Sequence, residues 1–282
     1  MKKLFCLCLF SGLAVSSFAF SAGDLFIKNS RFWQNKFSLD IMSEEPVFLG
    51  FSFNLTDHRD FNKKIYSFGL PFMLSFPLFD LVFEPFIYPN TNNDAWAYGG
   101  SITLKGLLRS DEINNTSSQG YLRAGFANQN ANITRIGGTN EKENFRQFAF
   151  EGGLNFNFQN LFNFDINGNI YTYPDEVKNI AAFGGIMNQN EIANLGTIDY
   201  VLNLPHYSIG GGITWLSTET NAKSSLSYKY VNYENDLKTH SVMIQTKVPL
   251  EQHLILTLIY NHLFETHGKN RDLFGVGLNY LF

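Results

Sequence analysis

The chain has 282 residues, of which 44% are hydrophobic, 16% aromatic and only 16% charged, with 29 phenylalanines among the aromatics. A formal charge of −4 without a basic block excludes the electrostatic footprint of a nucleic-acid-binding protein. Both cysteines, Cys6 and Cys8, fall in the first ten residues, so the remaining chain can form no disulfide, thiolate metal site or cysteine nucleophile.

In chain order, Met1-Lys2-Lys3 is a short positive start, and residues 4–15 are an apolar run of export-signal length, too short to cross a bilayer as a helix. Small residues in Ser17-Phe18-Ala19 and Ala19-Phe20-Ser21 place cleavage near residues 19–22. Losing 1–22 removes two lysines and moves the charge to −6. Residues 23–46 are ambiguous. Leu25, Phe32 and Leu39 recur every seven, beside Phe26 and Trp33, as in an interfacial amphipathic helix, while Phe37, Leu39 and Ile41 equally suit a short strand. They are expected to form a periplasmic or interfacial segment ahead of a barrel spanning 47–282.

From residue 47 the period is two. Val47, Leu49, Phe51, Phe53 and Leu55 alternate with Gly50, Ser52 and Asn54, and the pattern returns over 65–76, 81–88, 96–108 and 120–128. It is sharpest over 145–158, where Phe148, Phe150, Leu154, Phe156 and Phe158 oppose Gln147, Glu151, Asn155 and Asn157, and over 161–172. Strands over 207–216, 223–233, 238–248, 253–263 and 271–282 complete twelve. The run 69–89 is apolar, but Pro71, Pro77 and Pro85 forbid a membrane helix, and a hairpin about 77–80 accounts for it. Pro71 and Pro85 then fall inside strands, where a shared bulge or kink is expected. Connections alternate between short turns and longer loops, 109–119 being the exception among the turns and 173–206 the longest loop. That loop is oily and is expected to be an inward-folded constriction, a rim extension or two further strands. The fold class is therefore all-β, a closed antiparallel transmembrane β-barrel of 12 strands, with 14 as the alternative.

The end of the chain, Gly277-Leu278-Asn279-Tyr280-Leu281-Phe282, resembles the C-terminal assembly signal of bacterial outer-membrane β-barrel proteins, with Gly277, Tyr280 and Phe282 on the matching positions. The resemblance implies a bacterial outer-membrane location, with membrane lipid and the barrel-assembly machinery as partners, and leaves room for a small homo-oligomer. It also implies a small porin-like channel.

Read by parity, the charged residues facing the interior are Glu84, Lys105, Arg123, Glu151, Asp165, Lys229 and Lys247, a near balance of signs that would line a pore. His58, His206, His240, His262 and His267 map to the loop side and His253 to a turn. Nothing in their spacing matches a metal or cofactor motif. His206-Tyr207-Ser208 resembles the His-x-Ser spacing of outer-membrane phospholipase A, but Ile209-Gly210-Gly211 follows where that family has Asn-Gly, and Ser208 falls on the inward face. The expected function is passive passage of small solutes or ions. An outer-membrane hydrolase and a structural or adhesion barrel are the alternatives, and no catalytic residue is named.

Overall fold

The computed structural model describes residues 21–28, 32–44, 46–58, 63–89, 95–111, 114–135, 138, 140–174, 180–183, 205–234, 238–265 and 270–281. The export segment lies outside them up to residue 20, as does Phe282. Alternation turns almost all of these residues into antiparallel strands. β1 (Ser21–Lys28), β2 (Phe32–Glu44) and β3 (Val47–His58) lead, followed by a broken stave made of β4 (Lys63–Gly69) and β5 (Phe72–Ser75). Next come β6 (Phe79–Tyr88), β7 (Ala95–Asp111), β8 (Thr116–Arg135), β9 (Asn140–Phe158) and β10 (Phe162–Thr172). β11 (Ile180–Phe183) is a short addition, and β12 (Pro205–Leu216), β13 (Lys223–Tyr233), β14 (Lys238–Glu251), β15 (Leu254–Glu265) and β16 (Arg271–Leu281) complete the chain.

Each stave pairs with its sequence neighbours, and β16 pairs with β1 from Ser21↔Leu281 to Lys28↔Phe274. The sheet closes with no free edge, as a backbone in hydrocarbon requires. Among the described residues the wall has fourteen staves, which corrects the expectation of twelve. The two extra staves come from β1 and β2, the segment expected to precede the barrel, and not from the long loop. Their period was masked by exchanged faces. Asp24 and Asn35 share the outer face of the wall with Phe26 and Phe37, while Leu25 packs inward beside Gly277. Asn35 donates to the Asp24 carboxylate, which offsets part of the cost of setting an acid on the apolar side.

Ser21 and Leu281 lie at one rim, together with connections of two to six residues; the other rim carries the longest, between β10 and β12. The presumed exception dissolves, because β7 runs to Asp111 and β8 starts at Thr116. At the β9–β10 turn Gln159 and Asn160 both take positive φ (54° and 56°), and Leu161 N–H donates to Phe158 at 3.0 Å, the mirror-type turn whose twist suits a hairpin. At the loop rim β8 and β9 outrun β7, and β11 pairs with the free flank of β8 at Ile133, Thr134 and Arg135. That is a rim extension; residues 184–204 lie outside those described.

No bulge forms at the prolines. Register runs unbroken across the gap, from Gly69↔Ser52 to Phe72↔Leu49 on one side and from Gly69↔Phe86 to Phe72↔Phe83 on the other. The proline carbonyls keep their ladder bonds, Gly50 N–H to Pro71 at 2.8 Å and Leu70 N–H to Pro85 at 3.1 Å. Only the two missing N–H groups interrupt the stave, because a strand residue directs both backbone groups at the same neighbour.

The outer wall is an apolar belt; Phe150 is 56% exposed, Ile170 62% and Leu122 68%. It is indented where outward glycines meet in register, Gly106 opposite Gly120 and Gly152 opposite Gly168. The depression, about 790 Å³, is walled by Leu104, Leu122, Leu154, Ile166 and Ile209.

Candidate lumen site

Register carries the inward residues of β6, β7, β8 and β9 to one level, where Glu84 faces Ser101, Thr103 faces Arg123 and Arg123 faces Glu151. Arg123 joins these strands. Its guanidinium bonds the Glu84 carboxylate, lies 3.7 Å from Glu151 and donates through Nε to Ser101 Oγ at 3.0 Å. Ser101 in turn donates to Glu84 at 3.2 Å, and the Tyr121 hydroxyl donates to Glu151 at 2.5 Å. All three charged groups are largely withdrawn from solvent, so a network of this kind holds only because each charge is met by an opposite one and by hydroxyl donors.

Lys229 approaches the same network from β13. It stands opposite Gly210 in the ladder, close enough to Glu151 and Arg123 to feel their charges. By formal charge, Glu84 and Glu151 balance Arg123 and Lys229 at this level.

The other three predicted residues stand apart from this network. Asp165, on β10, leans over Gly212, where an added methyl would meet its carboxylate oxygen at 3.1 Å. Lys105 is exposed toward the turn rim, across the ladder from Asp80 and Tyr121. Lys247 is exposed at the same rim, directly opposite Lys223.

Toward the loop rim the interior changes character. Phe86 and Tyr88 of β6 meet edge to face, with centroids 5.9 Å apart at 82°. Phe145, Tyr171, Leu263 and Leu273 also point inward, and all six are buried. Just beyond β10, the Tyr173 hydroxyl receives Gln147 Nε2 at 2.5 Å and donates to the Pro205 carbonyl at 2.8 Å. Burial pushes the Tyr173 phenol well above its ordinary range, so it stays a neutral donor. None of these aromatic residues was named from the sequence, although Phe86 and Tyr88 share the parity of Glu84, and Phe145 that of Glu151.

Three histidines stand on the outer surface near the loop rim, in separate pairs: His206 with Glu234 at 2.9 Å, His240 with the Tyr228 hydroxyl at 2.7 Å, and His262 with Asp272 at 2.6 Å; His58 ends β3, and its side chain lies outside those described. No cluster of metal-ligating side chains forms among the described residues. His253 occupies a turn, and His267 lies outside the described residues. A register shift between Pro205 and Tyr207 turns His206 outward, whereas Ser208 is buried inside and receives Asn169 Nδ2 at 3.2 Å. The wall separates this base from this hydroxyl, so they form no hydrolytic pair.

No family model matches the chain, and no curated protein sequence does. Among solved structures, the CymD monoaromatic hydrocarbon channel aligns with a TM-score of 0.53 at 10% identity, over 94% of this chain and 88% of its own. The NanC porin aligns at 0.48 and 7% identity over 93% and 99%, and the KdgM porin at 0.40 and 10% over the same shares. These two are too remote to carry an argument. The likeness to CymD shows the fold, a closed antiparallel β-barrel.

Proposed function

We propose that this chain is an outer-membrane β-barrel through which small solutes diffuse without energy coupling. One observation carries the reading: a closed wall whose outer face is an apolar belt, interrupted by the bonded Asp24–Asn35 pair, and whose inner face holds a charged, hydrogen-bonded network. An apolar exterior suits hydrocarbon, and a polar interior suits a passage. In this reading the export segment is cut near residues 19–22, the tight turns lie in the periplasm, and the long loops lie outside the cell. Gly277, Tyr280 and Phe282 guide insertion by the assembly machinery. Glu84, Lys105, Arg123, Glu151, Asp165, Lys229 and Lys247 line the path, and copies of the chain associate through the outer wall if at all. Sharing its fold with a solved channel supports the reading.

The test is uptake of a panel of sugars, amino acids, small ions and aromatic alcohols by cells whose outer membrane is otherwise poor in channels. Cells producing the chain are expected to take up at least one class faster than the same cells without it. If no class gains while the barrel is folded, the passage reading is wrong.

A further inference from the structure

We infer that the loop-rim half of the lumen selects small uncharged aromatic solutes that carry one hydrogen-bonding group, an inference that rests on the passage reading above. Phe145 on β9 and Leu273 on β16 are six staves apart in a fourteen-stave wall, on opposite sides of the interior. Both are fully buried at 0% exposure, and Leu263 stands at 1%. Side chains from opposite walls are therefore withdrawn from solvent in this half of the lumen. A hydrated ion would have to shed much of its water there with only a few amides and phenol hydroxyls to replace it, a condition that opposes conduction. A flat apolar ring meets the opposite situation, because Phe86, Tyr88 and Tyr171 offer edges and faces for it to stack against as side chains change rotamer.

A second, independent observation points to the polar group. Asn261 is wholly buried and stands directly opposite Leu273 in the ladder. Its carbonyl accepts from Ser241 Oγ at 2.8 Å, but its Nδ2 has no partner. A buried donor left open inside an apolar layer is costly unless something arrives to accept from it. A hydroxyl or carbonyl on an aromatic solute does so. Below this level the network of Glu84, Glu151, Arg123 and Lys229 is neutral in sum and gives no preference to either sign of charge.

The experiment has two arms, both on the full chain. In planar bilayers, wild-type barrels are expected to carry little salt current, and Phe145→Ser and Leu273→Ser, made separately so that one misfolded variant does not decide the matter, to raise it about tenfold or more. In channel-poor cells, the wild type is expected to speed uptake of 4-cresol. Asn261→Leu should remove most of that gain while leaving toluene uptake unchanged. Wild-type salt current equal to that of a folded Phe145→Ser or Leu273→Ser barrel would overturn the constriction and leave the passage reading intact. Low salt current with cresol uptake no faster than in cells lacking the chain would overturn the solute class. If wild-type and serine barrels alike pass neither salt nor any solute, the passage reading itself fails.

Discussion

Arg123 answers two carboxylates at once, and that arrangement has a direction. Arg123→Ala would leave Glu84 and Glu151 largely buried with their chief counter-charge gone, a loss of about 3 kcal/mol from a network of this kind. The folded barrel should unfold at a lower temperature in the heat-dependent gel shift, and adding Glu84→Gln should recover part of the loss. In a barrel opened by Phe145→Ser, Arg123→Ala should also shift the reversal potential toward cations, since the level then carries one negative charge. Gly99 offers a steric counterpart. A methyl there would stand 2.1 Å from the Phe126 carbonyl oxygen and 2.8 Å from Ala127 Cα, both backbone atoms, so Gly99→Ala must push two strands apart. A cost of about 2–3 kcal/mol is expected, read as a lower denaturant midpoint. At this scale the sequence is legible only in part. Period two puts Glu84, Arg123 and Glu151 on one face of the wall, but which charge meets which depends on register between strands up to 39 residues apart in sequence. The aromatic layer escaped notice for a different reason: an inward Phe145 breaks the rule that apolar side chains face out, and only its parity with Gln147 and Glu151 gives it away.

Among the strands, the sharpest alternations are β9 and β10, where large outward side chains oppose polar ones over 154–158 and 162–170. β1 and β2 stay ambiguous between helix and strand in the sequence, because Asp24 and Asn35 interrupt the outward apolar face and Leu25 the inward polar one. Pairing with β16 and β3, which no local pattern reveals, decides their state. The expected bulge at Pro71 and Pro85 rested on the need to relieve a lost donor. The wall relieves it more simply, by omitting two hydrogen bonds and holding register. That stave should be the softest point of the wall. Amides from Phe68 to Phe72 are expected to exchange with deuterium faster than those of β9 at equivalent depth, measured by mass spectrometry on the folded barrel. Equal protection would mean that the gap is closed by other bonds. The separation of His206 from Ser208 has a similar origin. Residues two apart on a regular strand share a face, but the irregularity between Pro205 and Tyr207 breaks that rule at the position where it mattered.

For the molecule as a whole, closure depends on the seam between β1 and β16, the two elements farthest apart in sequence. A wall built only from residues 47–282 would tolerate the loss of residues 21–28; this one should not. Deleting residues 21–28 is expected to abolish the heat-dependent gel shift of the folded barrel, and retention of that shift would show that the wall closes without β1. The reason is arithmetic of direction. With β1 gone, β2 and β16 would run the same way, and thirteen staves cannot alternate up and down around a ring without one such mismatch. Removing residues 21–44 takes out a complete hairpin and restores alternation, so the longer deletion should do less harm to closure than the shorter one. The first eight residues of the wall thus act as a parity bit for the whole cylinder.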